Sequence, residues 1–215
     1  MKNLPKLYLK QIEIGPMQNF SYFVGDQKKG ECFVVDPAWD VPALLETAHR
    51  DGMKIVGGLL THTHYDHANG VEELLEKMEG KIYVHANEAS MIKVKPDRIE
   101  KLRDKQKIRI GDIEIECLHT PGHTPGGLCF FVQNHLLSGD TLFINACGRC
   151  DIAGGDPEKM YESLKCLAQL GDQVVVLPGH NYDEKKASTI GDEKRNNPYY
   201  QYSSLSDFLA LRKGY

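Results

Sequence analysis

Thr61-His62-Thr63-His64-Tyr65-Asp66-His67 places four potential metal ligands, His62, His64, Asp66 and His67, between a buried apolar run and a helical stretch. The run before it, KIVGGLL (54–60), reads as a buried strand; after it Val71, Leu74, Leu75 and Met78 recur at helical spacing. Asn69 with Glu72 three residues on resembles a capping box for that helix. In extended backbone, residues two apart point to the same side, so His62 and His64 can converge on one ion. Asp66 and His67 enter the helical turn, project differently and can reach a second ion. Imidazole nitrogen combined with carboxylate oxygen suits zinc, iron or manganese, and a soft all-thiolate site is not indicated.

Three more segments repeat one arrangement, an apolar strand ending in a ligand-type residue beside glycine. They are CLHTPGHTPG with His123, LLSGDTLF with Asp140, and VVLPGHNY with His180. Strand ends held by glycine-containing turns are where a rigid sheet can aim side chains at a common point. With the first cluster they supply five His and two Asp, enough for two metals with one bridging carboxylate.

The rest of the chain supports a mixed α/β frame. Strand-like runs open it (LYLKQIEI, NFSYFVG, ECFVVD), then a helix over Val41 to Arg50, the strand KIYVHA and a charged, weakly helical stretch. The strands KIRI, EIECLH, LCFFVQ and HLLSG follow. Asp156 to Leu170 predicts a helix with Asp156 as cap and Pro157 in the first turn. VVVLP is a further buried strand and SLSDFLALRK a closing helix. Strands alternate with helices but also run consecutively, which argues for mixed sheets packed with helices. No repeat or linker composition divides residues 1–215, so a single domain is expected.

Composition narrows the function classes. The 215 residues are 41% hydrophobic and 26% charged, with a formal net charge of −4, which fits a folded globular protein. No basic stripe points to a phosphate-backbone partner, so no nucleic acid is expected. The basic stretch Lys93 to Arg109 also carries acids and reads as a solvated helix-and-loop face. No apolar run approaches the ~20 residues needed to span a bilayer, and no signal-like segment opens the chain, so a cytoplasmic protein without membrane contact is expected. The six scattered cysteines suit reduced thiols. Cys147 and Cys150 form a C-x-x-C pair, but in a loop that does not reproduce a thioredoxin-like helix start.

The ordered motifs T-H-x-H-x-D-H, H-T-P-G-H-T-P-G, G-D-T-L-F and P-G-H resemble the metallo-β-lactamase fold superfamily, and within it the glyoxalase II-like branch of thioester hydrolases. That resemblance implies a four-layer αββα sandwich of two mixed β-sheets, with metals between the sheet edges. It implies that His62, His64 and His123 hold one divalent ion and Asp66, His67 and His180 a second, with Asp140 bridging. The ions would be zinc first, with iron or manganese also compatible. Asp36 in VVDPAWD matches the superfamily's early Asp and would orient the ligands from behind; an ordinary Asp-Pro turn is the competing reading. His49, His85, His119 and His135 lie outside the ligand motifs.

The implied reaction is attack of metal-activated water on the carbonyl of a small-molecule thioester. Asp66 would be both a ligand and the partner for the nucleophile's proton. Glutathione-binding relatives carry a longer C-terminal helical portion and tend to have Tyr where this chain has Asp151. Arg149 fits a substrate-carboxylate contact and Tyr182 a polar one. The competing readings are a mononuclear-iron persulfide dioxygenase of the same fold, using His62, His123 and Asp140, and a non-catalytic metal or redox sensor. The loop C-G-R-x-D and the segment STIGDEKRNNP resemble the dioxygenase branch. A non-catalytic module would be expected to lose ligands, yet all seven positions are filled.

Overall fold

The computed structural model of the chain describes residues 5–202 and 204–212. Strands β1 (Leu7–Ile14), β2 (Asn19–Asp26), β3 (Glu31–Val35), β4 (Lys54–Leu59), β5 (Lys81–His85) and β6 (Ile99–Leu102) form one six-stranded sheet in that order. Its first two pairings are antiparallel and the next three parallel. The second sheet runs β14 (Ser188–Thr189), β13 (Val175–Pro178), β10 (His135–Gly139), β9 (Leu128–Val132), β8 (Ile113–His119), β7 (Lys107–Ile110). Here only β10 and β13 pair in parallel. A short hairpin, β11 (Leu142–Phe143) with β12 (Ala146–Cys147), follows β10.

Apolar side chains fall into three buried layers, and these layers are the sandwich. Phe20, Tyr22 and Val24 of β2 meet Ile113, Ile115 and Phe130 of the second sheet in the central layer. On the outer face of the first sheet, Phe23, Val34 and Ile82 pack with Leu44 of α1 (Val41–Arg50) and Leu74 of α3 (Val71–Lys77), and the single turn α2 (Tyr65–Ala68), which carries Asp66 and His67, precedes α3. On the outer face of the second, Leu136 and Val176 pack with Met160, Leu164 and Leu167 of α4 (Pro157–Leu167). Ile190 of α5 (Ile190–Asn196) and Phe208 of α6 (Leu205–Arg212) complete that layer. Neighbouring residues of β2 thus serve opposite layers, which is why the whole strand is buried. The arrangement is the expected αββα sandwich of two mixed sheets.

Asp156 caps α4 as its sequence predicts, accepting from the amides of Glu158 and Lys159. Three local expectations need correction. The capping box of α3 does not form: Gly70 occupies the cap, and Asn69 Oδ1 accepts the Trp39 amide at 2.6 Å instead. A tertiary bond to a strained turn outcompetes the local one, since Trp39 sits at φ +63°. The charged stretch after β5 is not a helical face. It forms two 3-10 turns and strand β6, and Arg98 reaches back to the carbonyls of Leu75, Met78 and Gly80 that end α3. Finally, residues 190–196, given no element by the sequence pattern, form α5, and Thr189 Oγ1 caps it by accepting from the Asp192 amide. Lys213, the last residue of the expected closing helix, lies outside the described residues.

The topology sends the C-terminal ends of β3, β4, β8, β10 and β13 to one edge of the sandwich. Among the described residues, no helix is long and apolar enough to cross a membrane.

Candidate metal centre

Asp36, directly after β3, anchors the site. Its backbone takes the left-handed region, φ +50°, which a non-glycine residue adopts only when surroundings impose it. Ser21 Oγ donates to its carbonyl at 2.6 Å. Its carboxylate accepts the Thr61 amide at 2.7 Å, Thr61 Oγ1 at 2.7 Å and His67 Nδ1 at 3.0 Å. Thr61 has one hydroxyl proton and gives it to Asp36, so it must accept from His62 Nδ1, 3.0 Å away. That leaves His62 Nε2 deprotonated and aimed inward.

The same logic fixes three further imidazoles. His67 Nδ1 donates to Asp36, His123 Nδ1 to the Arg149 carbonyl at 2.8 Å, and His180 Nδ1 to the Met17 carbonyl at 2.9 Å. Each outward nitrogen is committed, and each Nε2 faces the interior of the cluster. An imidazole whose outer nitrogen is tied to a carboxylate or carbonyl has the tautomer and orientation a metal requires.

The inward atoms form three overlapping groups, each spanning no more than 4.8 Å: His62, His64 and His123; His62, His67 and Asp140; Asp66, His67 and His180. His123 Nε2 is 2.9 Å from His64 Nδ1, and His67 Nε2 is 3.1 Å from His180 Nε2. Tetrahedral coordination with metal–nitrogen bonds of about 2.0–2.1 Å separates nitrogen ligands by roughly 3.3 Å, close to these spacings. Asp140 Oδ2 lies 3.4 Å from both His123 Nε2 and His180 Nε2 and 4.0 Å from His62 Nε2. One carboxylate oxygen therefore faces both ends of the cluster. Among the described residues neither His62 Nε2 nor Asp140 Oδ1, both buried, has a hydrogen-bond partner, and the nearest cationic group to Oδ1 is His67 Nε2 at 3.4 Å; an orphaned buried polar group costs about 1–3 kcal/mol, which a cation relieves. The donor set and these orphaned atoms fit a divalent ion.

Charge divides the cluster. Burial, then the charge of His67, pushes His62 well below the ordinary imidazole value, and burial with His123 lowers His64. His67 and His180 go the other way. Burial alone would lower both, yet Asp140 and Asp36 hold His67 well above the usual range, and Asp140 and Asp66 raise His180 to about 9. Burial would raise the carboxyls in turn, but His180, His67 and Asn19 hold Asp66 well below its ordinary value, and His67 and His180 do the same for Asp140.

All seven residues singled out by sequence thus come together, and the two substrate-contact candidates lie beside them. Tyr182 stacks on His180 with centroids 4.5 Å apart. Arg149 contributes its carbonyl to His123, while its guanidinium forms two 2.9 Å bonds with Asp151. His119 bonds the Pro125 carbonyl and stacks on His85. Burial pushes the Cys32, Cys117 and Cys129 thiols up to about 12, which makes them poor nucleophiles. Sequence reasoning missed Asn19, whose Nδ2 donates to Asp66 Oδ2 at 2.9 Å while Trp39 Nε1 holds its Oδ1. It also missed Glu88, a buried carboxylate on Thr63 and Gly126.

Comparison with known proteins agrees with this architecture. The chain is 32% identical over 195 residues to the Probable polyketide biosynthesis zinc-dependent hydrolase BaeB of Bacillus velezensis, covering 90% of this chain and 87% of that one. It is 36% identical over 166 residues to a hydroxyacylglutathione hydrolase of Pseudomonas fluorescens, covering 77% of this chain and 62% of that one. The crystal structure of ETHE1 from Myxococcus xanthus superposes with a TM-score of 0.87 at 26% identity, covering 96% of this chain and 90% of that one. The family model of the metallo-β-lactamase superfamily matches residues 14–180, which contain all seven clustered side chains, and the chain belongs to that superfamily.

Proposed function

We propose that the protein is a divalent-metal hydrolase that cleaves a small-molecule thioester, with zinc as the expected ion. The observation that carries this reading is Asp140. Its Oδ2 sits 3.4 Å from His123 on one side and His180 on the other, so it would be within reach of ions held by either group. In this reading His62, His64 and His123 hold one ion and Asp66, His67 and His180 the other. Divalent ions held there would supply a water-derived nucleophile at neutral pH and a Lewis acid for a carbonyl oxygen.

The chain's own groups do the rest. Asp66 stays ionised across the neutral range, and Asn19 fixes its Oδ2, so the carboxylate orients the attacking water and accepts its hydrogen bond. Burial and the Asp140 and Asp66 carboxylates push the Tyr182 hydroxyl up to about 12. It therefore remains protonated and can donate to a substrate oxygen. Arg149 is already neutralised by Asp151 in the bidentate geometry a substrate carboxylate would need. Both side chains are largely exposed, so the pair is held weakly and a substrate carboxylate can replace Asp151 on the guanidinium. The names of the hydrolase relatives support the reaction class.

The persulfide dioxygenase reading uses His62, His123 and Asp140 for a single iron, a subset of the same cluster, so metal count and reaction separate the two. Metal analysis of purified protein should give two divalent ions per chain, with release of thiol from a panel of acyl thioesters. One iron per chain, together with oxygen uptake on glutathione persulfide and no thioester cleavage, would sink the hydrolase reading.

A further inference from the structure

The turn after β5, His85-Ala86-Asn87-Glu88, supplies none of the seven clustered side chains, yet it grips both loops that carry the three-histidine group. Glu88 is 1% exposed. Its Oε2 accepts the Thr63 amide at 2.7 Å and Thr63 Oγ1 at 2.8 Å, and its Oε1 accepts the Gly126 amide at 2.8 Å. Thr63 stands between His62 and His64, and Gly126 follows His123 by three residues.

The carbonyl of that same peptide unit, Pro125 O, accepts Asn87 Nδ2 and His119 Nε2, each at 3.1 Å. One turn therefore holds both polar ends of the Pro125–Gly126 peptide. The approach is close: a Cβ at Gly126 would stand 2.7 Å from Glu88 Cγ, so only glycine admits it. Two main-chain amides and a hydroxyl converge on Glu88, and only an acceptor with two free oxygens satisfies all three. A glutamine would turn its NH2 against one of them.

We propose that Glu88 is a positioning residue for the His62, His64 and His123 group. Its carboxylate bolts the His62–His64 loop to the His123 loop and so sets how tightly that group holds a divalent cation. The inference rests on the metal-centre reading above. The Asp66, His67 and His180 group hangs on different anchors, Asn19, Asp36 and the Met17 carbonyl, so the effect is confined to one half of the centre.

The test is zinc titration of the full chain against a competing chelator, with metal counted by mass spectrometry. Cobalt(II) absorption spectra identify the half affected. His64→Ala and His180→Ala mark the spectral signature of losing each half. Glu88→Ala should weaken one of two zincs by about 10–100-fold, the size seen when a partner behind a metal ligand is removed. Its cobalt spectrum should follow that of His64→Ala, and amide exchange at Thr63 and Gly126 should accelerate. Glu88→Gln keeps part of the network and should give the same selective loss at smaller size; it carries the test if Glu88→Ala does not fold. Unchanged binding at both sites, or equal weakening of both, in Glu88→Gln overturns the proposal. If the wild type and His64→Ala alike bind no divalent cation, the metal-centre reading falls and this proposal with it. If His64→Ala loses one ion while the Glu88 variants bind both ions with wild-type affinity, this proposal alone falls.

Discussion

The two halves of the cluster differ in both ligand set and anchoring: one is three imidazoles, the other two imidazoles and a carboxylate. In the Asp66, His67 and His180 half, carboxylates lie directly against the imidazoles: Asp36 behind His67, Asp66 beside both, Asp140 in front. In the His62, His64 and His123 half, the outward atoms rest on neutral groups, Thr61 Oγ1 behind His62 and the Arg149 carbonyl behind His123. The first arrangement compensates its charge within the protein; in the second, burial and the neighbouring imidazoles outweigh the carboxylate of Asp140, and His62 and His64 are pushed toward the neutral form. Perturbations should therefore stay within one half unless they touch Asp140, which faces both, or Asp36, which reaches both through Thr61 and His67.

Breaking the shared carboxylate should have the largest effect. Asp140→Ala is expected to abolish binding of both ions and to lower turnover by 10³-fold or more, about 4 kcal/mol in barrier terms. Metal counting and thioester kinetics check this, and retention of one tightly held ion would show that the halves are more independent than their geometry says. Asp36→Ala comes next. It removes the partner behind His67 and the acceptor for Thr61, so metal affinity should fall about 10–100-fold. The buried Thr61 amide and hydroxyl also lose their acceptor, each at about 1–3 kcal/mol, so thermal stability of the metal-free protein should drop as well. A stability loss without any change in affinity would reduce Asp36 to a turn residue.

The contrast between halves also explains what the sequence makes readable. His62, His64, Asp66 and His67 are legible because a strand end followed by a helix presents them within one short segment. His123, Asp140 and His180 are legible because each repeats the strand-then-glycine arrangement. Most strands are legible from apolar runs that serve two packed layers. Glu88 and Asn19 are not, because their partners lie far along the chain: Thr63 and Gly126 are 25 and 38 residues from Glu88, and Asp66 is 47 from Asn19. Nothing in the local pattern of either residue marks it. Asn69 shows the converse error, a good local capping pattern overridden by a bond to Trp39 thirty residues away. Strand β6 was hidden because it lies at the sheet edge, paired with β5 alone, and its sequence IEKL carries charges that mimic a solvated helix.

A milder perturbation of the carboxylate-rich half is Asn19→Ala. Asp66 loses one hydrogen bond but keeps its contacts with His67 and His180. A hydrogen bond to a charged group contributes about 1.5–3 kcal/mol, and Asp66 is not fully enclosed, so the lower end applies: roughly a tenfold loss of turnover with two ions still bound. Loss of an ion instead would mean that Asn19 holds the ligand in place rather than aligning the water beside it.

Tyr182 should give the smallest effect and separates two roles. Its ring stacks on His180 with an interplanar angle of 12° and meets Phe143 edge-on, while the residue is 59% exposed. An aromatic pair of this kind contributes about 0.5–1.5 kcal/mol when buried, and exposure moves the expectation to the low end. Tyr182→Leu should therefore weaken the ion on the His180 side by only about two- to threefold. Tyr182→Phe keeps the stack and removes the hydroxyl, so it should leave metal affinity untouched and raise KM for the thioester. If Tyr182→Phe changes neither KM nor kcat, the hydroxyl is not a substrate contact, and the residue serves only as a wall against His180. If Tyr182→Phe weakens metal binding as Tyr182→Leu does, stacking is not what steadies His180. The Met17 carbonyl, bonded to Nδ1 at 2.9 Å, then becomes the anchor of that imidazole.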